Sequence, residues 1–192
     1  MGEELIIGVD EVGRGCLAGP VLAAAVAMPS DTGYMFHDSK TLSESVRLQN
    51  YRLIKKYAFL AKIGYASPQE IDASNILKAT QLAMKRAIDK LNLKGSLVLV
   101  DGPHLPNVMD YKMKAIIKGD QKYTQIAAAS IIAKVVRDYI MMRVSRVYPN
   151  YLFDKHKGYP TKEHLSALKR YGVLSIHRKS FRPVRELCLM ED

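Results

Sequence analysis

The chain has 192 residues and a net charge of +10, from 29 Lys and Arg against 19 Asp and Glu. That length fits one domain, or one domain with a small appendage, and excludes two large ones. With 48% hydrophobic and 25% charged residues, the composition also excludes a disordered chain or a collagen-like repeat, and the positive excess points to an anionic partner, nucleic acid ahead of an acidic membrane surface.

Residues 5–9 form a short apolar run that stops at Asp10, the pattern of a buried strand with polar residues at its end. Residues 20–28 read as a second strand. Ser43 can cap a helix with Glu44 in its first turn and Leu53, Ile54 and Tyr57 on one face. Phe59, Ala61, Ile63 and Tyr65 alternate with Leu60, Lys62 and Gly64, which predicts a third strand. Leu77, Met84, Ile88 and Leu91 recur at helical spacing, and the apolar strand 97–100 then ends at Asp101. After a connection carrying Pro103, Pro106 and Asn107, residues 114–117 read as a last strand. Ile126, Ala129, Ala133, Val136, Ile140, Val144 and Val147 follow a 3.6-residue period and predict the longest helix, stopped by Pro149. Thr161 caps a shorter helix to Tyr171, with Leu165 and Leu168 inward and Gly172 at its end. Alternating strands and helices make an α/β domain over residues 1–150, with a basic helical extension of the same unit over residues 151–192.

The apolar runs 20–28 and 126–133 fall short of the ~20 residues that span a bilayer. The acidic start Glu3-Glu4 lacks the basic pattern of a secretory signal, so a cytoplasmic protein with no membrane contact is expected. Cys16 and Cys188 are too few and too far apart for a disulfide framework or a zinc site.

Asp10 and Asp101 each follow an apolar strand, and strand ends are where α/β proteins place ligand sites. A strand-terminal Asp is equally at home as a turn residue or a helix cap. Glu11 and Asp120 complete a set of carboxylates that would want a cation, and an all-oxygen set suits Mg²⁺ or Mn²⁺ rather than zinc. Asp120 alone also fits a helix cap. Gly13, Gly15 and Gly19 leave the backbone open beside these acids, with Arg14 as a charged donor; a tight turn is the plainer reading of Gly-x-Gly. Between Lys155 and Arg185, five Lys and four Arg face only Glu163, with Tyr159, Tyr171 and Phe181 interleaved. That segment fits a surface tracking a phosphate backbone, or a solvated helix face. Ser39 has no nearby His to activate it, and the five histidines are spread along the sequence and read as ordinary.

Together, residues 8–15 (Gly-Val-Asp-Glu-Val-Gly-Arg-Gly), Asp38-Ser39-Lys40, Val100-Asp101-Gly102, Lys118-Gly119-Asp120 and the run 127–134 closely resemble the motifs of bacterial ribonuclease HII. Lys157-Gly158-Tyr159 and His177-Arg178-Lys179-Ser180-Phe181 resemble that family too, so the likeness runs from about residue 5 to 184. It implies a ribonuclease H-like fold with a mixed five-stranded sheet flanked by helices. It also implies a monomeric endonuclease that cuts RNA in RNA–DNA hybrids and 5′ of single ribonucleotides embedded in duplex DNA, leaving 5′-phosphate and 3′-hydroxyl ends and serving ribonucleotide removal. Asp10, Glu11, Asp101 and Asp120 match the family's catalytic, metal-binding acids, which implies two Mg²⁺ or Mn²⁺ ions; Asp110 competes with Asp120 for the fourth place. Gly13, Arg14 and Gly15 match the motif that contacts the ribose 2′-OH and adjoining phosphates, and Tyr159 the tyrosine that recognises the ribo-to-deoxyribo junction. Lys40, Lys157, Arg178 and Lys179 are expected as further substrate contacts. Two other readings compete: a non-catalytic nucleic-acid binder, to which clustered carboxylates would be a handicap without a metal, and a DNA nuclease or strand-transfer enzyme on the same fold.

Overall fold

The computed structural model describes residues 5–31, 33, 36, 39 and 42–191; Lys40, with its neighbours His37 and Asp38, lies outside the described residues. Strands β1 (Leu5–Val12), β2 (Val21–Pro29), β3 (Leu60–Ala66), β4 (Leu97–Asp101) and β5 (Lys112–Ile116) form one sheet in the order β3-β2-β1-β4-β5. The helices are α1 (Glu44–Tyr57), α2 (Pro68–Asp72), α3 (Ile76–Leu91), α4 (Thr124–Val147), α5 (Phe153–His156), α6 (Lys162–Tyr171) and α7 (Arg182–Glu191). β1, β2 and β3 pair antiparallel, whereas β1 with β4 and β4 with β5 pair parallel, so the sheet is mixed.

Two layers of helix cover the sheet, and β2 shows why. Its side chains alternate: Val21, Ala23, Ala25 and Ala27 pack in the layer of α3, and Leu22, Ala24, Val26 and Met28 in the layer of α1 and α4. On β1 the α4 side carries Gly8, where an added Cβ would lie 2.0 Å from the Gln125 carbonyl carbon. Only glycine lets the start of α4 rest on the strand, two residues before Asp10.

The long helix does not keep the single stripe its period predicts. Residues 125–133 are buried in succession, because the first half of α4 lies between the sheet and α1. Beyond it Arg137 and Met141 are the buried residues, Val136, Ile140 and Val144 are half-buried, and Val147 is 68% exposed. In α1 only Ile54 is buried, while Leu53 and Tyr57 are each 38% exposed. β3 is an edge strand on which Tyr65, like Phe59 just before it, is exposed, while Ala61 and Ile63 of that face pack against the core.

The basic C-terminal segment packs on the loop between β1 and β2. Ala18 shares a cluster with Met141, Tyr151, Phe153 and Ala167, and Leu17 shares another with Leu168 and Val184. Phe181 belongs to this packing, with the Arg178 guanidinium 5.1 Å from its ring centre, and is not the open stacking surface its sequence context suggests. Among the described residues no helix is long and apolar enough to cross a membrane.

Candidate active site

Val9 stands opposite Val100 at the end of the parallel β1–β4 pairing, so Asp10 and Asp101 follow side by side; β1 itself runs on along β2 to Val12, past the end at Asp10 that its apolar run predicts. A third acid arrives through a 3₁₀ turn: the Gly119 amide donates to Asp101 Oδ1 at 2.7 Å, and the next residue is the buried Asp120. Asp110 belongs to the other end of the sheet. It precedes β5, where Lys112 faces Leu97 while Ile116 faces Asp101, and its carboxylate pairs with Lys94 at 2.9 Å.

Asp10 is 3% exposed. Its Oδ1 accepts the Glu11 amide at 2.7 Å, but its Oδ2 is buried with no hydrogen-bond partner among the described residues. Burial above all, then the charges of Glu11 and Asp101, hold this carboxyl well above the usual carboxylate range; the Ser130 hydroxyl and the Glu11 amide pull the other way. Ser130 Oγ is itself 2.8 Å from Ser39 Oγ, so Ser39 is a buried neighbour of the site and not an exposed nucleophile.

A buried carboxylate oxygen with nothing to accept from is expensive. What fits a divalent cation here is that orphaned oxygen together with an all-oxygen donor set. The acids converge without enclosing a space: among the described residues no three His, Cys, Asp or Glu side chains stand close enough to hold a metal ion as they lie. A cleft of about 180 Å³ opens beside them, with Glu11, Asp101, Arg14 and His104 in its lining. Arg14 leans on Glu11 at 3.4 Å yet leaves its side chain 45% exposed.

Past the acids the chain enters a loop gripped from behind. Gly13 has φ +88°, and a Cβ there would lie 2.2 Å from Arg137 Nε. Arg137 donates to the carbonyls of Pro20 at 3.1 Å, Ala18 at 3.0 Å and Lys157 at 2.8 Å. Arg178 donates to Gly13 at 2.7 Å, Arg14 at 2.9 Å and Gly19 at 3.0 Å. Both side chains are wholly buried, and the ion pairs among the described residues include neither. Burial lowers Arg178 to about 10, which leaves it cationic at neutral pH. With its carbonyls turned inward, the loop's other edge is open: the Arg14 and Gly15 amides donate to no backbone carbonyl among the described residues.

Arg178, expected as a substrate contact, is instead wholly buried behind the glycine loop and holds it. Lys157 is half-buried in a left-handed turn at φ +52°, with its Nζ bonded to the Asp154 carbonyl. Lys179 is exposed, and its backbone amide is held by Asp72 at 2.9 Å. Tyr159 is brought beside the loop because the Leu17 amide donates to the Gly158 carbonyl at 2.8 Å. Its ring is partly exposed, with Lys134 Nζ and the Arg137 guanidinium each 5.9 Å from the ring centre. Its hydroxyl interacts with the Cys16 thiol, and burial pushes its pKa up.

Sequence reasoning missed four contributors: Ser130, Arg137 and the pair His164 and His177. The one legible signal was Arg137 itself, a charge four residues after Ala133 and four before Met141 on the buried face of α4. The histidines read as scattered, yet His156, His164 and His177 meet in one buried cluster.

A family model described as Ribonuclease HII matches residues 7–184. Ribonuclease HII of Pelagibacter ubique (strain HTCC1062) is 50% identical over 185 residues, spanning 96% of this chain and 99% of its own length. Among solved structures, a chain of the PCNA:RNase HII complex from Archaeoglobus fulgidus is similar with a TM-score of 0.77 and 27% identity, over 92% of this chain and 95% of that one. Ribonuclease H2 from Pyrococcus horikoshii OT3 shares the fold with a TM-score of 0.79 and 23% identity, over 95% of this chain and 96% of that one.

Proposed function

The chain belongs to the ribonuclease HII family, a ribonuclease H acting on RNA–DNA substrates through a ribonuclease H-like fold, and from that premise we propose that it also cuts 5′ of single ribonucleotides embedded in duplex DNA. The observation that carries this reading is adjacency: Asp10 is followed within three residues by a loop whose Arg14 and Gly15 amides donate to no backbone carbonyl among the described residues.

Asp10, Glu11, Asp101 and Asp120 would hold two Mg²⁺ or Mn²⁺ ions, whose chemistry when bound is to activate water and to offset charge on the leaving 3′ oxygen. Phosphate contacts alone cannot select one ribose, because they carry no sugar information. The 2′-OH is both donor and acceptor, so the backbone of residues 13–15 can pair with it and would be left unmatched against deoxyribose. Arg178 and Arg137 keep that backbone rigid, which makes the mismatch costly. Arg14 is the exposed donor for an adjoining phosphate. Tyr159 packs its ring on the sugar that follows, where an extra hydroxyl would crowd it. Lys157 and Lys179, with the remaining cations of residues 151–192, track the phosphate backbone as an extension of the same unit. One copy of the chain suffices for this, acting in the cytoplasm in ribonucleotide removal.

The test is to incubate the protein with matched duplexes holding no ribonucleotide, one ribonucleotide or an RNA tract, with and without Mg²⁺, and to map the cuts. Mg²⁺-dependent incision 5′ of the single ribonucleotide, with the all-DNA duplex intact, is the expected result. Cutting of the RNA tract alone would remove the embedded-ribonucleotide activity, and cutting of all-DNA duplex would favour the DNA nuclease.

A further inference from the structure

Three buried histidines stand behind Tyr159, outside the acid end and the arginine clamp, and their hydrogen bonds admit one arrangement of protons. The Leu174 amide donates to His177 Nδ1 at 2.9 Å, so the ring proton of His177 sits on Nε2. That nitrogen is 3.1 Å from His164 Nε2, which must accept, so the proton of His164 sits on Nδ1. His164 Nδ1 in turn donates to the Tyr159 carbonyl at 2.9 Å. His156 stacks on His164 with ring centres 4.4 Å apart, and its own nitrogens are occupied by the Gly158 amide and the Tyr151 carbonyl.

The chain of bonds also touches the glycine loop at its other end. His177 bridges to Ala18, and the amide of the next residue, Arg178, donates to the Leu17 carbonyl at 2.8 Å. One continuous path therefore joins the loop to the backbone of Tyr159. Its members are neutral in use: burial lowers His164 and His177 to about 4, so at neutral pH neither ring carries the extra proton that would have no acceptor here. The ring nitrogens of the trio are all taken up by these bonds, which leaves none turned toward a metal ion.

We propose that His177 and His164 are positioning residues for cleavage at a ribo-to-deoxyribo junction, because their one-directional hydrogen-bond chain fixes Tyr159 relative to the glycine loop. This rests on the reading of Tyr159 given above. A ring misplaced by an ångström loses most of its discrimination, and the chain sets that position through the backbone.

The experiment measures cleavage at a single ribonucleotide relative to cleavage inside an RNA tract, for His164→Ala, His164→Asn, Tyr159→Ala and the double variant His164→Ala with Tyr159→Ala, each checked by thermal melting. His164→Ala should lower the ratio about tenfold, and His164→Asn, whose amide nitrogen replaces Nδ1–H toward Tyr159, should restore it to within about threefold. In the Tyr159→Ala background, His164→Ala should add less than about a twofold change. Where His164→Ala does not fold, His177→Leu, which removes the donor while keeping volume, goes through the same cycle. Losses that multiply in the double variant would overturn the proposal and leave the reading of Tyr159 intact. A ratio unchanged by Tyr159→Ala alone would overturn the reading of Tyr159 and the proposal with it. Ring-nitrogen NMR gives a readout apart from activity: protons on Nδ1 of His164 and Nε2 of His177 are expected, and any other pair of tautomers contradicts the chain.

Discussion

The acid end of the sheet and the clamp behind the glycine loop both bury polar groups, and they handle the cost in opposite ways. At the acid end Asp10 keeps an oxygen unpaired, next to like charges. In the clamp, Arg137 and Arg178 between them donate to six carbonyls, and in the histidine chain beside it the bonds from Leu174 to Tyr159 use all four ring nitrogens of His164 and His177. An unsatisfied site is poised for a ligand, whereas a satisfied one fixes geometry. In the proposed function chemistry belongs to the first region and recognition to the second, and substitutions should separate the two.

The largest effect should come from the acids. Asp10→Asn or Asp101→Asn should cut cleavage by more than roughly 10³-fold, while hybrid affinity stays within about one order of magnitude because the phosphate-binding cations are untouched. The same Asp10→Asn should leave the metal-free fold as stable or more so, since it removes a charge that burial penalises. Near-normal cleavage by Asp10→Asn at low Mg²⁺ would take that residue out of the chemistry.

Arg178→Ala should do the reverse. Three carbonyls, two of them fully buried, lose their donor, which should cost about 3 kcal/mol of stability in a denaturant titration. An unchanged midpoint would mean that the loop holds its shape without the clamp.

The pH dependence of stability should also separate the regions. His164 and His177 titrate near 4 in the fold against an ordinary 6.5. Between those values the unfolded chain binds protons that the folded chain refuses, so stability is intact above about 6.5 and falls as pH drops towards about 4. The groups facing this pair are His156, stacked on His164, with Glu163, Asp154 and Lys157 acting on His156. Asp10 has the opposite sign: its raised pKa contributes stability at low pH that is lost as pH rises through the folded value. Melting temperatures of His164→Asn should lose part of the fall between about 6.5 and 4, and Asp10→Asn should keep it. An equal pH profile for His164→Asn and the parent chain would deny that the histidines stay neutral in the fold.

The smallest effect concerns the surface cations. Neutralising Lys157 and Lys179 should flatten the salt dependence of hybrid binding by about 0.9 in log–log slope for each phosphate the protein no longer neutralises. An unchanged slope would show that both face solvent.

How much of this could be read beforehand differs between the regions for a physical reason. Asp10 and Asp101 were legible because an apolar run followed by an acid is a local pattern, even though β1 continues past Asp10 to Val12, and Thr161 and Gly172 bracket α6 by local capping rules. The short α2 carries a local signal as well, the capping box of Ser67 and Glu70, but its five residues are too few to show a helical period. The clamp was not legible. Arg178 meets Gly13 across 165 positions, and nothing in the sequence around either announces the contact. Charge patterning placed Arg178 among the surface cations, because composition records the charge of a residue and not the direction in which the chain turns it.

The unpaired oxygen of Asp10 as a cation ligand is the claim on which the division between the two regions depends. The direct measurement is the shift in melting temperature on adding Mn²⁺, without nucleic acid, to the wild-type chain and to Asp10→Asn. Binding to the folded state alone raises the melting temperature by mass action, so the wild type should shift upward in a concentration-dependent way and Asp10→Asn should shift little or not at all. Equal shifts in both would place the metal elsewhere and contradict the assignment of the acid end to the chemistry.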